Sequence, residues 1–372
     1  MAKPCITPLW PCAMVGAAAA MAGLDGTGVI IHGASGCYFF ADSLIPDPVN
    51  CTCLVEDEVI FGTGDRLHEV AEALVPFSEK IVVINTCVPA TIGEDLGPYC
   101  AGCDPLIIDA PGYCGDMTDG YRLALAAFPA ETDPSREGVN IDGLMSTDPF
   151  AAGNRMEAER LLARAGIPVA ARYCADTLAS ALRPAEMTVT ALPDVASGIG
   201  QSVGSLCGLD AIEMTFSALS DLFPDADCAP VMDICEETEE LVVKACDRYL
   251  RVSDPPRVAL FGMAGYVDMA ADLFTTFLDA EICCAGARNQ PPEGSVCIWA
   301  PDLGAVKEMI AAGDPDLLIG SRYEETLAPN VPFVQTTTPI RKSSMLCHRP
   351  LIGSEGVLWL IESAINAEKK EC

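Results

Sequence analysis

Basic residues are scarce. Against 53 aspartates and glutamates the 372-residue chain sets only 22 lysines and arginines, a formal net charge of −31. That balance excludes an electrostatic surface for nucleic acid or anionic membrane. It leaves a solvated acidic surface or a face that recruits a basic partner. Long apolar runs are also missing. The best candidate, MAKPCITPLWPCAMVGAAAAMAGLDG at the N-terminus, holds only about a dozen clean apolar residues, too few to span a bilayer. It is broken by two Pro-Cys pairs and no A-x-A-like cleavage site follows, so it reads as an interior helix rather than a signal peptide. No GxxxxGK[ST] occurs, which excludes a phosphate-cradling loop of that type. The 19 cysteines lack the regular spacing of a small disulfide scaffold, and their number is odd. Most read as reduced, buried, small apolar residues of a cytoplasmic chain in an anaerobic cell, with a minority left as metal ligands.

What is present is α/β patterning. Half the residues are hydrophobic, enough for a substantial core, and the length suggests about two or three domains. Short β-branched runs alternate with helical stretches, the pattern of parallel sheets. Strands are expected at Gly28–His32, Lys80–Asn85, Pro105–Asp109, Asn140–Met145, Pro168–Tyr173, Met187–Leu192, Arg257–Met263, Glu281–Cys284, Ser295–Trp299 and Asp316–Gly320. Helices are expected at Asp65–Leu74, Arg155–Ala165, Glu236–Leu250 and Leu303–Ala311. Two seams, FPAETDPSREG (Phe128–Gly138) and RVSDPPR (Arg251–Arg257), divide the chain into three Rossmann-like units: 1–135, 136–252 and 253–372.

Three cysteines share a local context. Cys12 follows a proline and opens the helical stretch AMVGAAAAMAGL. Cys37 closes HGASGC after the strand GVIIH. Cys87 follows KIVVINT and precedes VPATIGEDL, with Pro89 suited to a first helical turn. Each is expected at a helix N-terminus, which favours thiolate. Two lie at carboxyl ends of strands, where open parallel sheets bind ligands. Gly33 and Gly36 let backbone approach a bulky group. Three thiolates match neither CxxC zinc spacing nor a four-cysteine ferredoxin run. They are either prongs of a cluster completed by another ligand or subunit, or three buried thiols among nineteen.

The ordered segments PCAMVGAAAAMAGLDGTGVIIHGASGC, VNCTCLVEDEVIFGTGDRL and NTCVPATIGEDL resemble the nitrogenase component 1 family. That family includes cofactor-assembly scaffolds and dark-operative reductases of tetrapyrrole biosynthesis. The resemblance continues through PDLLIGSRYEE and PLIGSEGVLWLIESAINA. It implies three Rossmann-like domains and an iron–sulfur cluster, 4Fe–4S or larger, held at a subunit interface by Cys12, Cys37 and Cys87. It further implies a homodimer or paralogous heterodimer and electrons from a separate ATP-hydrolysing iron protein. In nitrogenase proper the catalytic cofactor hangs from one cysteine and one histidine. Leu192 and Ile352 fall at those positions here, with His348 four residues too early. An iron–molybdenum-type cofactor held by that pair is therefore not expected. A cavity for an organic substrate is, and the compact length fits archaeal relatives, including the reductive cyclase of nickel–sirohydrochlorin diamide in methanogenesis.

Weaker candidates surround this triplet. Cys51 and Cys53 return beside the Cys37 turn as possible extra ligands. Glu56, Asp57, Glu94 and Asp95 are proton donors, docking charges or ordinary helix-dipole complements. His32 either tunes a cluster through a hydrogen bond or caps its turn. Cys100-x-x-Cys103 has metal-like spacing without a second pair, and Cys114 follows it. Cys283 and Cys284 read as a buried strand. The glycines Gly198, Gly200 and Gly204 nearly match a dinucleotide fingerprint without its acidic partner. Three functions remain open at this point: a reductase subunit, a non-catalytic cofactor scaffold, and a nucleotide-dependent oxidoreductase.

Overall fold

The computed structural model describes residues 9–100, 102–339 and 346–367. The chain divides into two compact units. The first comprises Met1–Thr147, Ala170–Glu186 and Val195–Gln201, the second Asp148–Val169, Met187–Asp194 and Ser202–Cys372. The seam Phe128–Gly138 lies inside the first unit and Arg251–Arg257 inside the second, each leading from a helix to a strand.

The first unit carries a sheet of strands β1 (Thr27–His32), β2 (Asn50–Cys51), β3 (Lys80–Asn85) and β4 (Leu106–Asp109), in the order β2-β1-β3-β4. Every pairing in it is parallel, and β1 matches β3 from Thr27 opposite Lys80 to His32 opposite Asn85. The apolar runs Val29–Ile31 and Ile81–Ile84 are buried, as strands covered on both faces require. The helices here are α1 (Ala13–Ala22), α2 (Ser35–Asp42), α3 (Glu56–Phe61), α4 (Gly64–Leu74), α5 (Cys87–Ile92) and α6 (Met117–Ala127). Leu67 and Ala71 of α4 pack on Ile30, Ile81 and Val83.

The expected interior helix is α1, buried from Ala13 to Met21; Met1–Pro8 lie outside the described residues. Its glycine has a steric cause. A Cβ on Gly16 would stand 1.8 Å from the Met117 carbonyl oxygen, and one on Gly120 1.8 Å from that of Ala13. α1 and α6 therefore cross backbone to backbone. No helix among the described residues is long and apolar enough to cross a membrane. The first unit also pairs β5 (Val139–Asp142) with β6 (Val169–Arg172).

The second unit pairs β7 (Met187–Thr190) with β8 (Gln201–Ser205). It also holds a five-stranded sheet of β9 (Arg257–Gly262), β10 (Glu281–Ala287), β11 (Ile298–Trp299), β12 (Leu317–Gly320) and β13 (Phe333–Gln335). That sheet runs β11-β10-β9-β12-β13, all parallel. Its longer helices are α7 (Ala151–Arg164), α8 (Leu209–Leu222), α9 (Ala229–Leu250), α10 (Ala264–Leu278), α11 (Leu303–Gly313) and, after a six-residue α12 (Arg322–Leu327), α13 (Gly353–Ile365). All ten expected strands are present, Lys80–Asn85 with the expected ends and the other nine with shifted ones. Asn140–Met145 stops at Asp142, for instance, because Gly143 turns the chain with φ +77°.

The cysteines depart from expectation. All seventeen among the described residues are free, yet six are buried, eight half-buried and three exposed. Cys283 and Cys284 are half-buried strand residues rather than core. The half-buried class includes Cys12, Cys37, Cys51 and Cys87, which stand at strand exits and helix starts and not within the packed interior.

Candidate iron–sulfur site

β1 and β3 end side by side, His32 opposite Asn85. From His32 the chain turns through Gly33 and Ala34 into α2, whose third residue is Cys37. From Asn85 it passes Thr86 into α5, whose first residue is Cys87. Thr86 ties the two exits together. Its N–H and its hydroxyl both donate to the His32 carbonyl, at 3.2 and 2.8 Å. Gly33 is dictated by that tie, since a Cβ there would stand 2.1 Å from Thr86 Oγ1. Gly36 differs, because nothing lies within 4 Å of a Cβ at that position.

Cys12 reaches the same end of the sheet by another route. It is the residue before α1, in extended conformation, and forms an antiparallel bridge with Asp116. The Ala13 N–H donates to the Gly115 carbonyl at 3.1 Å. Asp116 in turn caps α6 by accepting the Thr118 and Asp119 N–H groups. The loop leading there leaves β4 with the Ala110 N–H on the Asn85 carbonyl, 3.2 Å. It then directs the Gly112 N–H onto Cys87 Sγ at 3.0 Å. One loop thus holds the backbone beside Cys12 and the sulfur of Cys87. Cys114, exposed in this loop, has its thiol pushed up by burial and by Asp109 and Cys87.

The donor set fits an iron–sulfur cluster. Three half-buried thiols stand at helix starts around the carboxyl ends of one parallel sheet, and one already accepts a backbone N–H. N–H···S bonds are among the features that set cluster potentials. Among the described residues no three His, Cys, Asp or Glu side chains converge as a single-ion site, but a group several irons wide spans its ligands farther apart.

His32 is fully buried. The single proton of the Thr63 hydroxyl goes to Glu94 Oε2 at 2.6 Å, so Thr63 Oγ1 accepts from His32 Nε2–H at 3.0 Å. That fixes the neutral Nε2–H tautomer and leaves Nδ1 buried without a hydrogen bond. Burial drives the imidazole pKa down to about 4, against a smaller upward pull from Glu94. Burial works to raise Glu94, but the Thr63 hydroxyl and N–H, with Tyr99 and the Gly64 N–H, hold it below the ordinary carboxylate range. Glu94 is therefore an ionised anchor for the turn. Glu56 and Asp57 are exposed in the first turn of α3. Asp95 is exposed and accepts the Gly97 N–H.

Cys51 lies in β2 opposite Ile31. Its Sγ contacts the Gly33 carbonyl at 3.6 Å and accepts the Cys53 N–H at 3.1 Å. Thr52, unremarked in the sequence, accepts the Gly33 N–H at 3.0 Å. No residue-type signal marks Thr52, Thr63 or Thr86, because each acts by hydrogen bonds across the fold.

The other candidates resolve differently. Cys100 and Cys103 close a short helical turn, Cys103 Sγ donating to the Cys100 carbonyl at 3.2 Å. Gly198 and Gly200 sit in a loop between strands β7 and β8, so no helix N-terminus follows them as a dinucleotide fingerprint requires. Leu192 and Ile352 are fully buried. Leu192 packs beside Gly265, and the Ile352 N–H points to Asn154 Oδ1 at 3.3 Å. His348 is exposed. A cavity of about 220 Å³ in the first unit is lined by Thr27, Lys80 and Leu106, the amino ends of β1, β3 and β4, opposite the cysteines. Around the cysteines themselves α2, α3 and α5 expose apolar side chains: Phe61 is 83% exposed, Ile60 70% and Phe39 66%, with Phe40, Val88 and Ile92 nearby in sequence.

Comparison with known proteins agrees with this architecture. The chain is 24% identical to the nitrogenase molybdenum-iron protein beta chain of Frankia alni, over 97% of this chain and 82% of that one. It is 22% identical to the vanadium-iron protein beta chain of Trichormus variabilis, over 97% and 93%. The cofactor biosynthesis protein NifE of Rippkaea orientalis is 28% identical over 44% of this chain and 39% of its own length. A solved structure, nitrogenase Cp1 at pH 6.5, superposes with a TM-score of 0.80 at 20% identity, covering 96% of this chain and 92% of that chain. The family described as Nitrogenase component 1 type Oxidoreductase matches residues 12–368, and the chain belongs to that family.

Proposed function

We propose that this chain is the iron–sulfur subunit of a two-component reductase, with electrons supplied by a separate ATP-hydrolysing iron protein. One observation carries the reading: Cys12, Cys37 and Cys87 are brought to the carboxyl ends of one parallel sheet by the Thr86 tie and the 110–116 loop. When bound, an iron–sulfur cluster supplies one-electron storage and transfer. The three thiolates would hold it, the Gly112 N–H would temper charge on Cys87 sulfur, and neutral His32 would keep the turn beneath Cys37 rigid. The exposed apolar side chains of α2, α3 and α5 support a second subunit, either another copy of this chain or a paralogue, covering the cysteine face. The reading carries three Rossmann-like domains, 1–135, 136–252 and 253–372, and a cytoplasmic location.

Leu192 and Ile352 offer neither thiolate nor imidazole, which favours an organic substrate over a second metal cofactor at those positions. A tetrapyrrole of the nickel–sirohydrochlorin diamide type is the substrate we propose. The similarity to NifE, a cofactor biosynthesis protein by its name, favours a second reading, in which the chain holds a cluster precursor for transfer.

Anaerobic purification with iron and sulfide counts and electron paramagnetic resonance tests the site. The expected result is a cluster that Cys37→Ala abolishes. Full iron content and activity in Cys37→Ala would overturn the reading. Turnover of the tetrapyrrole with an iron protein supports the reductase. Transfer of the cluster to an apo-acceptor without turnover supports the scaffold instead.

A further inference from the structure

Near its start β10 carries two adjacent cysteines, Cys283 and Cys284. On a regular strand neighbouring side chains point to opposite faces, and the sheet itself would keep the two sulfurs apart. The pairing with β9 is not regular there. Val258 stands opposite Ile282 and Ala259 opposite Cys284, which leaves Cys283 as an extra residue without a partner on β9. Such a β-bulge re-aims a side chain and is over-represented beside functional sites.

Gly313, the last residue of α11, marks where both sulfurs go. A Cβ built on it would stand 3.1 Å from Cys283 Sγ and 3.4 Å from Cys284 Sγ. Both thiols therefore lie on the face that α11 covers, beside one α-carbon, and any side chain at that position would press on the pair. Both are half-buried, within reach of a small solute. Arg257 stands next to them, donating to Glu281 Oε2 at 2.7 Å and to the Gly313 carbonyl at 2.8 Å. Burial pushes the Cys283 thiol up, while a hydrogen bond from Cys284 and the Arg257 cation pull it down. Cys284 is pushed up to about 12, by burial and by Cys283 beside it. Cys284 is thus the donor of an S–H···S contact, and Cys283 is the sulfur that Arg257 favours as thiolate.

Two convergent thiols without a third ligand define a coordination class. Among the described residues no three His, Cys, Asp or Glu side chains converge on one ion, so the pair lacks the tetrahedral set that zinc requires. Soft thiolates without harder donors select Cu(I). From the bulge and the shared face beside Gly313, we propose that Cys283 and Cys284 form a two-thiolate site for a soft monovalent cation, Cu(I). On binding, both S–H bonds are lost, two protons pass to water, and two sulfur–copper bonds form with copper and sulfur unchanged in oxidation state. The bound unit carries a single negative charge, and Arg257 is the cation beside it. The site lies in the second unit and does not depend on the reading of Cys12, Cys37 and Cys87.

The test compares the parent with Cys283→Ser, Cys284→Ser and the double variant, purified anaerobically as full chains and titrated with Cu(I) against the chelator bicinchoninate. Circular dichroism melts check the fold. The parent is expected to hold one more chelator-resistant Cu(I) than any variant. The double variant is expected to lose no more than either single one, because neither thiol binds alone. A second measurement needs no variant. The parent takes one equivalent of phenylarsine oxide, which condenses with two close thiols and releases water, and is then treated with iodoacetamide and mapped by peptide. Cys283 and Cys284 are expected to be protected together. Equal Cu(I) stoichiometry in the parent and the double variant would overturn the proposal, as would alkylation of both residues in the arsenical-treated chain. Loss of copper in only one of the single variants would overturn the shared site.

Discussion

The Gly33–Thr86 contact is the point where the two cysteine-bearing exits are joined, and Gly33→Ala probes it directly. The new Cβ would stand 2.1 Å from Thr86 Oγ1 and 3.2 Å from both Thr86 Cβ and Cγ2. Thr86 is buried, and its hydroxyl is spent on the His32 carbonyl at 2.8 Å. Either the hydroxyl rotates away and is stranded in the interior, or β1 and β3 part at their ends. Stranding a buried polar group and overpacking together cost about 2–4 kcal/mol. Thr86→Ala alone removes the hydroxyl but leaves the His32 carbonyl its 3.2 Å bond from the Thr86 N–H, so its cost is about 1 kcal/mol. In the double variant only the 3.2 Å approach to Cβ remains, which needs a shift of a few tenths of an ångström. The pair should therefore be less damaging than the sum by about 1–3 kcal/mol. Urea unfolding of the four metal-free proteins measures the cycle, and anaerobic iron loading follows the same order, with partial recovery in the double variant. Additive costs, or a Gly33→Ala protein as stable as the parent, would refute the steric account of the turn.

Other perturbations report on neighbouring parts. His32 is neutral in the fold with its pKa near 4 against 6.5 free, so the unfolded chain binds more protons below 6.5. Its contribution is whole above that value and declines toward 4, amounting to a loss of about 2 kcal/mol at about pH 5. Urea unfolding against pH should show that slope in the parent and lack it in His32→Asn; equal slopes contradict the assignment. Gly120→Ala drives a methyl into the Ala13 carbonyl and should destabilise the metal-free protein by about 3 kcal/mol or more, whereas an unchanged melt would mean that α1 and α6 are not in backbone contact. Phe61→Asp changes a side chain that is 83% exposed, so stability should hold within about 0.5 kcal/mol. Sedimentation should then show weaker association if a subunit covers this face, and unaltered association would count against that. Ile352→His places an imidazole at a fully buried position and should cost about 2–4 kcal/mol, with no gain in bound iron by metal analysis.

The fold was legible where periodicity is strong. β-branched runs such as Lys80–Asn85 announce themselves, and the alanine-rich α1 follows from its apolar composition even though its packing against Gly120 does not. Asn50–Cys51 was invisible because a two-residue strand has no period, and its existence depends on Ile31 across the sheet. The cysteine triplet was legible as three similar contexts in order, but the contexts contain nothing that says all three stand at one end of the same sheet. Their placement at one end of the sheet depends on Thr86 and on Gly112, whose hydrogen bonds span 54 and 25 residues. A threonine at a strand end is an ordinary residue until the partner is known. The same reasoning sharpens what Gly33 and Gly36 mean. Both sit in one motif, yet Gly33 answers to Thr86 within the chain, whereas Gly36 has open space before it. Internal packing therefore explains the first glycine and not the second. Gly36 stands next to Cys37 in α2, the helix that also exposes Phe39. The chain leaves there an apolar surface, a glycine without an internal reason and four half-buried thiols. On the reading proposed above, those features belong together as one face, completed by a bound group and a second protein.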